Sequence, residues 1–213
     1  MDTSASVKDK LTIEQTIAAD FFKQILRPKK DLAALIEFGS EVALVQDFTD
    51  DLGRLERALD SLRGGGNTAL YDAVYLAAED KLKAEAGRKV ILIVSDGADT
   101  SSKTKRQEAI DAAQKNDVTV FSIGVKSRTF GADFRALEGL SRETGGRFFD
   151  PQVDMREITA AFNSILTTLK QQYNISYYST NQKKDGSFRR IQIRAKKDNI
   201  RVQHRSGYYA PRP

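Results

Sequence analysis

The uninterrupted apolar run Val90-Ile91-Leu92-Ile93-Val94 is the feature that most constrains the fold of this chain. A strand with apolar side chains on both faces must be covered on both sides, which is typical of a parallel sheet between two layers of helices. At 213 residues the chain fits one domain, with room for a small appendage. No apolar run approaches the ~18 residues that a transmembrane helix needs.

The segments around this run alternate between helical and strand patterns. Asp31–Phe38 and Glu41–Phe48 read as strands, and the connection Gly39-Ser40 is too short for a parallel crossover, so a hairpin is predicted. Helices are predicted at 17–26, 52–62, 70–83, 105–115, 134–144 and 155–171, and further strands at 90–94, 118–125 and 147–149. This order predicts a doubly wound, Rossmann-like α/β sheet with helices on both faces. Ligand sites in such a sheet lie beyond the carboxyl ends of its strands.

Oxygen-bearing side chains fall in three segments where loops should leave these strands. They are Asp2, Ser4 and Ser6 in the first segment, Thr68 after Gly64-Gly65-Gly66, and Asp96 directly after Ser95. Hydroxyl and carboxylate oxygens suit a hard divalent cation such as Mg²⁺. The first segment alone is equally typical of a surface turn, in which Asp and Ser side chains bond to nearby amides. The combination of all three favours a metal site.

In order and context, the three segments resemble the metal-ion-dependent adhesion site of the von Willebrand factor A family. The matching pieces are Asp-x-Ser-x-Ser, a Thr in a Gly-rich loop, and the Asp of Ser95-Asp96-Gly97. This resemblance extends from residue 2 to about residue 170. The remaining segment, with Tyr177-Tyr178 and Gly207-Tyr208-Tyr209, resembles the tail of a bacterial subgroup, the von Willebrand factor A-related Acidobacterial domains.

The resemblance implies a role for each site residue. Ser4 and Ser6 would ligate Mg²⁺ or Mn²⁺ directly, with Ca²⁺ as a further alternative. Thr68 would bind directly or through water, and Asp2 and Asp96 mainly through water or as partners of the ligands. In this family an open coordination position accepts a carboxylate from a partner protein. The implied function is a metal-dependent protein-binding module that presents its cation to an Asp or Glu.

The residue inventory disfavours an enzyme. The chain has no Cys, and its one His, His204, lies far in sequence from the three segments, so nucleophilic hydrolysis lacks an obvious base. Phosphatases of the haloacid-dehalogenase type would need a carboxylate where Ser4 stands, and no Lys follows Gly66 in Walker spacing. Two alternatives stay open: a structural domain with a vacant site that packs on an upstream domain and, more distantly, a metal-assisted phosphohydrolase.

Only Met1 precedes Asp2. In the resembled family, by contrast, the first loop follows the end of a buried central strand. We therefore expect the usual first central strand to be absent and the chain to be truncated at its start. Loss of three or four buried apolar side chains at ~1.5–3 kcal/mol each is comparable with the net stability of a domain. Any signal peptide would lie upstream, and the resemblance favours an extracytoplasmic location.

The last part of the chain is basic. From Lys170 onward, eleven Lys and Arg face two Asp. Basic residues interleaved with aromatic ones can bind nucleic acid, but the alternation around Ile191 and Ile193 is typical of a half-buried strand, which disfavours a nucleic-acid partner. We predict strands at 173–180, 187–196 and 200–204. The expected division is a von Willebrand factor A-like domain at 1–171 and a C-terminal antiparallel β extension at 172–213.

Overall fold

The computed structural model of the protein describes residues 1–125, 134–151, 155–173, 175–200 and 202–212. The helices are α1 (Leu11–Ile25), α2 (Leu52–Ser61), α3 (Leu70–Tyr75), α4 (Arg106–Lys115), α5 (Arg135–Thr144) and α6 (Met155–Gln171). The strands are β1 (Ala33–Phe38), β2 (Val42–Thr49), β3 (Lys89–Ser95), β4 (Val118–Gly124), β5 (Phe148–Phe149), β6 (Phe188–Arg190) and β7 (Gly207–Tyr209). A 3-10 turn (Lys8–Lys10) precedes α1, and a π-helical turn (Leu76–Lys81) continues α3. The predicted alternation of strands and helices up to residue 171 is confirmed.

The central sheet consists of a hairpin and a parallel group that meet at the first residues of the chain. Strands β1 and β2 pair antiparallel, as predicted, whereas β3, β4 and β5 are parallel in the order β3-β4-β5. Asp2 forms a parallel bridge with Phe38 of β1, and its amide donates to the carbonyl oxygen of Val94 in β3 at 3.1 Å. Residues 1–3 therefore occupy the central position between β1 and β3, where the sequence indicated that the usual strand would be missing.

Helices cover both faces of the parallel strands, which confirms the predicted fold class. Within β3, Ile91 and Ile93 pack in the cluster that contains α3, α4 and α5. Val90, Leu92 and Val94 alternate with them and pack in the cluster that contains α1 and α6. Side chains of a strand alternate between its faces, so a continuous apolar run is what a strand between two helical layers requires.

The C-terminal segment forms a small antiparallel sheet, as predicted, but with different strands. Strand β6 covers only Phe188–Arg190, and it pairs with Gly207–Tyr209. The described residues of 173–180 and 200–204 contain no strand, so those two predictions are wrong there; Asn174 and Arg201 lie outside the described residues. The expected half-buried face forms only in part, because Ile191 and Ala195 are half-buried whereas Phe188 and Ile193 are exposed.

Contacts with the α/β domain explain why β7, rather than 200–204, pairs with β6. The Tyr209 hydroxyl donates to Asp111 of α4 at 2.7 Å, and the Ser206 amide donates to the carbonyl oxygen of Glu143 in α5 at 3.2 Å. Arg205 forms an ion pair with Asp117. These contacts hold residues 205–209 against the α/β domain and so favour β7 as the partner of β6. Division of the chain at residue 171 stays a prediction.

The end of α5 shows how closely the tail approaches the domain. Gly145 follows this helix with a φ of +83°, a left-handed conformation that favours glycine. A Cβ at this position would also lie 2.5 Å from the backbone nitrogen of Arg205. In the described ranges no helix has the length and apolar composition to cross a bilayer.

Candidate metal centre

Asp2 is completely buried, and each of its carboxylate oxygens accepts a hydrogen bond. Oδ1 accepts from the Ser4 amide at 2.8 Å, and Oδ2 accepts from the Ser95 hydroxyl at 2.5 Å. Burial raises the pKa of the Asp2 carboxyl, whereas the hydrogen bonds from Ser95 and Ser4 act to lower it. Asp2 thus shapes the first loop and joins it to the end of β3.

Two hydroxyls of the first loop are hydrogen-bonded to each other, with Ser4 Oγ and Ser6 Oγ 3.0 Å apart. Neighbouring ligands of an octahedral ion with metal–oxygen distances of about 2.1 Å are also separated by about 3.0 Å. The separation of the two hydroxyls is therefore compatible with binding Mg²⁺ or Mn²⁺ as well as with their mutual hydrogen bond.

Backbone hydrogen bonds hold the first loop against the glycine-rich loop. The Ala5 amide donates to the carbonyl oxygen of Gly66 at 3.0 Å, and the Gly65 amide donates to that of Thr3 at 2.7 Å. Gly66 has a φ of +83°, so its left-handed backbone is one that residues with a side chain seldom adopt. This close contact places the segment before Thr68 beside Ser4.

The glycine-rich loop is in turn fixed to the loop that follows β3. The Thr68 amide donates to the hydroxyl of Thr100 at 2.9 Å, and the Thr68 carbonyl oxygen accepts from the amides of Thr100 and Ser101. Asp96 lies in this third loop, where its Oδ1 accepts from the Ala98 amide at 3.2 Å. The negative charge of Asp96 also contributes to raising the pKa of Asp2.

The structure therefore brings the three predicted loops together at one end of the sheet. Asp2, Ser4, Thr68 and Asp96 are buried, and Ser6 is half-buried. In the described part of the chain, no group of three or more His, Cys, Asp or Glu side chains is placed to hold a metal. A site here would depend on hydroxyls and two carboxylates, which is a low-charge donor set compatible with Mg²⁺. Ligation by these residues stays a prediction.

Asp72 and Asp99 support the loops, as capping residues would. Asp72 accepts from the amides of Lys103 and Thr104, at 3.0 and 2.7 Å. Asp99 accepts from the amide of Tyr71 in the first turn of α3 and from the hydroxyl of Ser102. Both carboxylates therefore accept hydrogen bonds from backbone amides near the start of a helix.

Sequence reasoning missed Glu14 of α1, which is buried beneath this end of the sheet. Its side chain is 3% exposed, and neither carboxylate oxygen has a hydrogen-bond partner among the described residues. Burial, followed by the charge of Asp2, raises the pKa of Glu14 to about 8. The sequence held one signal for this residue. Glu14 falls at helical spacing between the apolar residues Leu11 and Ile17, and Glu is rarely buried without a partner.

Comparison with known proteins identifies the family. Residues 1–164 match the von Willebrand factor type A domain, so the chain belongs to this family. An uncharacterized protein of Borreliella burgdorferi is 25% identical over 200 residues, which cover 92% of this chain and 54% of that protein. The chain thus spans about half the length of this curated relative.

Solved structures share the fold at low sequence identity. A von Willebrand factor type A protein from Catenulispora acidiphila aligns with a TM-score of 0.64 and 16% identity, over 78% of this chain and 40% of that one. BatB from Bacteroides thetaiotaomicron aligns with a TM-score of 0.61 and 14% identity, over 78% and 96%. Proximal thread matrix protein 1 from the mussel byssus, with a zinc-occupied MIDAS motif, aligns with a TM-score of 0.66 and 16% identity, over 79% and 43%.

Replacement of Glu14 by Gln should change how stability depends on pH. Since the folded protein keeps the Glu14 proton up to about pH 8, and the unfolded chain releases it near pH 4.5, this residue lowers the free energy of unfolding as pH rises between those values. The Met1 ammonium acts in the opposite direction above pH 6, because burial lowers its pKa to about 6. In denaturant unfolding, the free energy of unfolding of Glu14→Gln should rise relative to that of the wild type between pH 5 and 8, by on the order of 2–4 kcal/mol.

The exposed glutamate Glu85, which follows the π-helical turn, provides the matched control. Glu85→Gln should follow the wild-type pH dependence. A constant difference between Glu14→Gln and the wild type across this pH range would contradict the assignment of a proton to Glu14.

Proposed function

We propose that this von Willebrand factor type A domain is a metal-dependent protein-binding module. The observation that supports the proposal best is that hydrogen bonds hold the loop with the paired hydroxyls of Ser4 and Ser6 against the loop before Thr68. In the proposal, Ser4 and Ser6 ligate Mg²⁺ or Mn²⁺ directly, and Thr68 does so directly or through water. The zinc-occupied MIDAS motif of the mussel protein, which shares the fold, supports this assignment.

The carboxylates have supporting roles in this proposal. Both oxygens of Asp2 accept hydrogen bonds from Ser4 and Ser95, so this residue orients the first loop and holds metal-bound water. In the proposal, Asp96 likewise holds metal-bound water from the third loop. With little negative charge in direct contact, the cation keeps most of its positive charge and attracts a carboxylate from a protein partner.

A binding role is favoured over catalysis by the surroundings of the site. The one His, His204, accepts from the Ile193 amide in the tail, at 3.4 Å. It therefore serves a local contact in the tail rather than the three loops. A structural domain whose site holds no metal is the second candidate, since the first loop is already stabilised by the hydrogen bonds of Asp2.

Two further assignments belong to this proposal. Tyr177-Tyr178 and Gly207-Tyr208-Tyr209 support placement in the Acidobacterial subgroup. The family resemblance also favours an extracytoplasmic location, which immunodetection in fractions of the native cells would test.

Metal affinity should depend on the hydroxyls of the first two loops. Ser4→Ala removes one of the paired oxygens, and Thr68→Ala removes the hydroxyl of the second loop, so each variant should bind Mg²⁺ at least about tenfold more weakly, equivalent to about 1.4 kcal/mol. Isothermal titration calorimetry with Mg²⁺ and Mn²⁺ measures the effect.

Thr16 of α1 is a suitable control, because its hydroxyl donates to the carbonyl oxygen of Thr12 on an exposed helix surface. Thr16→Ala should leave metal affinity unchanged. Wild-type affinity in both Ser4→Ala and Thr68→Ala would exclude this metal site.

Binding of an acidic ligand should require the metal. The probe is the peptide Ac-Gly-Glu-Gly-NH2, observed by NMR titration of the Mg²⁺-loaded protein. EDTA should abolish its binding, as should replacement of its Glu by Gln, because the carboxylate completes the metal coordination. Changing Arg189, Arg190 and Arg194 together to Gln should weaken binding only modestly, through screened long-range charge.

The opposite pattern would assign binding to the tail. If the peptide still bound in EDTA but failed to bind the triple arginine variant, the basic tail would be the ligand surface and the metal loops would not.

A further inference from the structure

A cavity of about 350 Å³ opens beside the candidate metal centre. Its wall includes Gly97, Ala98 and Asp99 of the third loop, which follow Asp96 directly, together with Tyr71 of α3. The first residues of α4 and α5, Arg106 and Arg135, complete the lining with Ala136. This volume is at the lower end of the range for ligand pockets, about 300–1,000 Å³, so it suits a side chain or a small acid rather than a nucleotide.

A glycine inside α5 positions Arg106 at this cavity. Gly139 lies in the middle of the helix, where Gly costs about 1 kcal/mol relative to Ala. A Cβ at residue 139 would lie 2.8 Å from Cζ of Arg106 and closer still to Nη2. The guanidinium of Arg106 therefore rests against the α5 backbone, in space that a side chain at residue 139 would take.

Arg106 gives the cavity wall a cationic group that can bind an anion. Asp99 brings the one negative charge among the described lining residues. Asp99 already accepts hydrogen bonds from Tyr71 and Ser102. A planar guanidinium can bind a carboxylate through two parallel hydrogen bonds, which selects carboxylates over neutral groups.

The cavity wall continues directly from the third metal loop. Asp96 and Asp99 are three residues apart, so their Cα atoms are separated by at most about 11 Å. In an extended peptide, side chains two positions apart leave the same face and lie about 7 Å from each other, which is within this limit.

We propose that this cavity binds a second carboxylate of the protein partner whose first carboxylate binds the metal. The partner segment would carry two acidic residues separated by one residue. This inference depends on the proposed metal-dependent function and adds to it the chemistry of the partner. Arg106 is the main contact, and Gly139 positions it.

Two peptides test the proposal on the Mg²⁺-loaded protein: Ac-Gly-Glu-Gly-Glu-Gly-NH2 and the same peptide with its second Glu replaced by Gln. The wild type should bind the first peptide at least about tenfold more tightly, because only that peptide gives a carboxylate to Arg106. Arg106→Gln should reduce this preference to about twofold or less. It should leave the affinity for Mg²⁺ and for the second peptide unchanged.

Gly139→Ala separates the position of Arg106 from its charge. The new Cβ would displace the flexible end of Arg106 while every charge is kept, and the helix should become slightly more stable. The preference for two glutamates should therefore fall in Gly139→Ala as well. Arg142 of α5, which pairs with Glu143, is the matched control, and Arg142→Gln should keep the preference.

The outcomes distinguish this inference from the metal site itself. Equal binding of the two peptides by the wild type, or a preference that persists in Arg106→Gln, would overturn the binding of a second carboxylate in this cavity. Mg²⁺ binding in calorimetry would still support the metal site in that case. A preference that is lost in Arg106→Gln but kept in Gly139→Ala would support the contact between Arg106 and the second carboxylate and would overturn the positioning of Arg106 by Gly139. Absence of Mg²⁺ binding in the wild type would remove the metal function and this inference together.

Discussion

Asp2 lies between the two parts of the central sheet, and its carboxylate joins two of the three site loops. Its amide donates to Val94 of β3, and its backbone bridges Phe38 of β1. Its carboxylate accepts from Ser4 in the first loop and from Ser95 at the end of β3. The same residue thus joins the β1–β2 hairpin to the parallel strands and fixes the loop that carries Ser4 and Ser6.

This arrangement concentrates polar groups where the sheet would otherwise be apolar. A buried carboxylate is costly unless hydrogen bonds compensate for lost hydration. Asp2 has such compensation from two donors, whereas the nearby Glu14 has none among the described residues. The pKa of Glu14, raised to about 8 by burial, is the consequence. The polar end of the sheet is therefore sensitive to pH through Glu14, and Asp2 is the residue that the hydrogen-bond network holds in place.

The neighbouring cavity extends the same polar region away from the metal loops. The third loop supplies Asp96 on one side and the Gly97–Asp99 wall of the cavity on the other. Arg106 lies in the wall of this cavity, so a cationic group adjoins the loop that carries Asp96. Such a surface would select a partner by the spacing of its acidic residues as well as by their number.

Much of the α/β domain followed from local sequence patterns. The apolar run at 90–94 could be stable only between two layers of helices, and the short Gly39-Ser40 connection permitted only a hairpin. The placement of Ser4, Thr68 and Asp96 at one end of the sheet followed from strand direction, because parallel strands bring their carboxyl ends to the same edge. Glu14 and Arg106 were not found this way, because their roles depend on what packs against them.

The tail shows what the sequence alone did not determine. Alternation of apolar and polar residues at 187–196 indicated a strand, but the structure keeps only Phe188–Arg190 and pairs it with Gly207–Tyr209. Isolated strand pairs are weak, so their register is decided by whatever else fixes one of the strands. Here Tyr209 and Ser206 are fixed by contacts to α4 and α5, more than 60 residues earlier in the chain. The sequence by itself determined the α/β layers and the oxygen-bearing loops, because those depend on periodicity and strand direction. Only the tertiary structure decided the pairing of the tail, the burial of Glu14 and the position of Arg106, because each depends on contacts between residues distant in sequence.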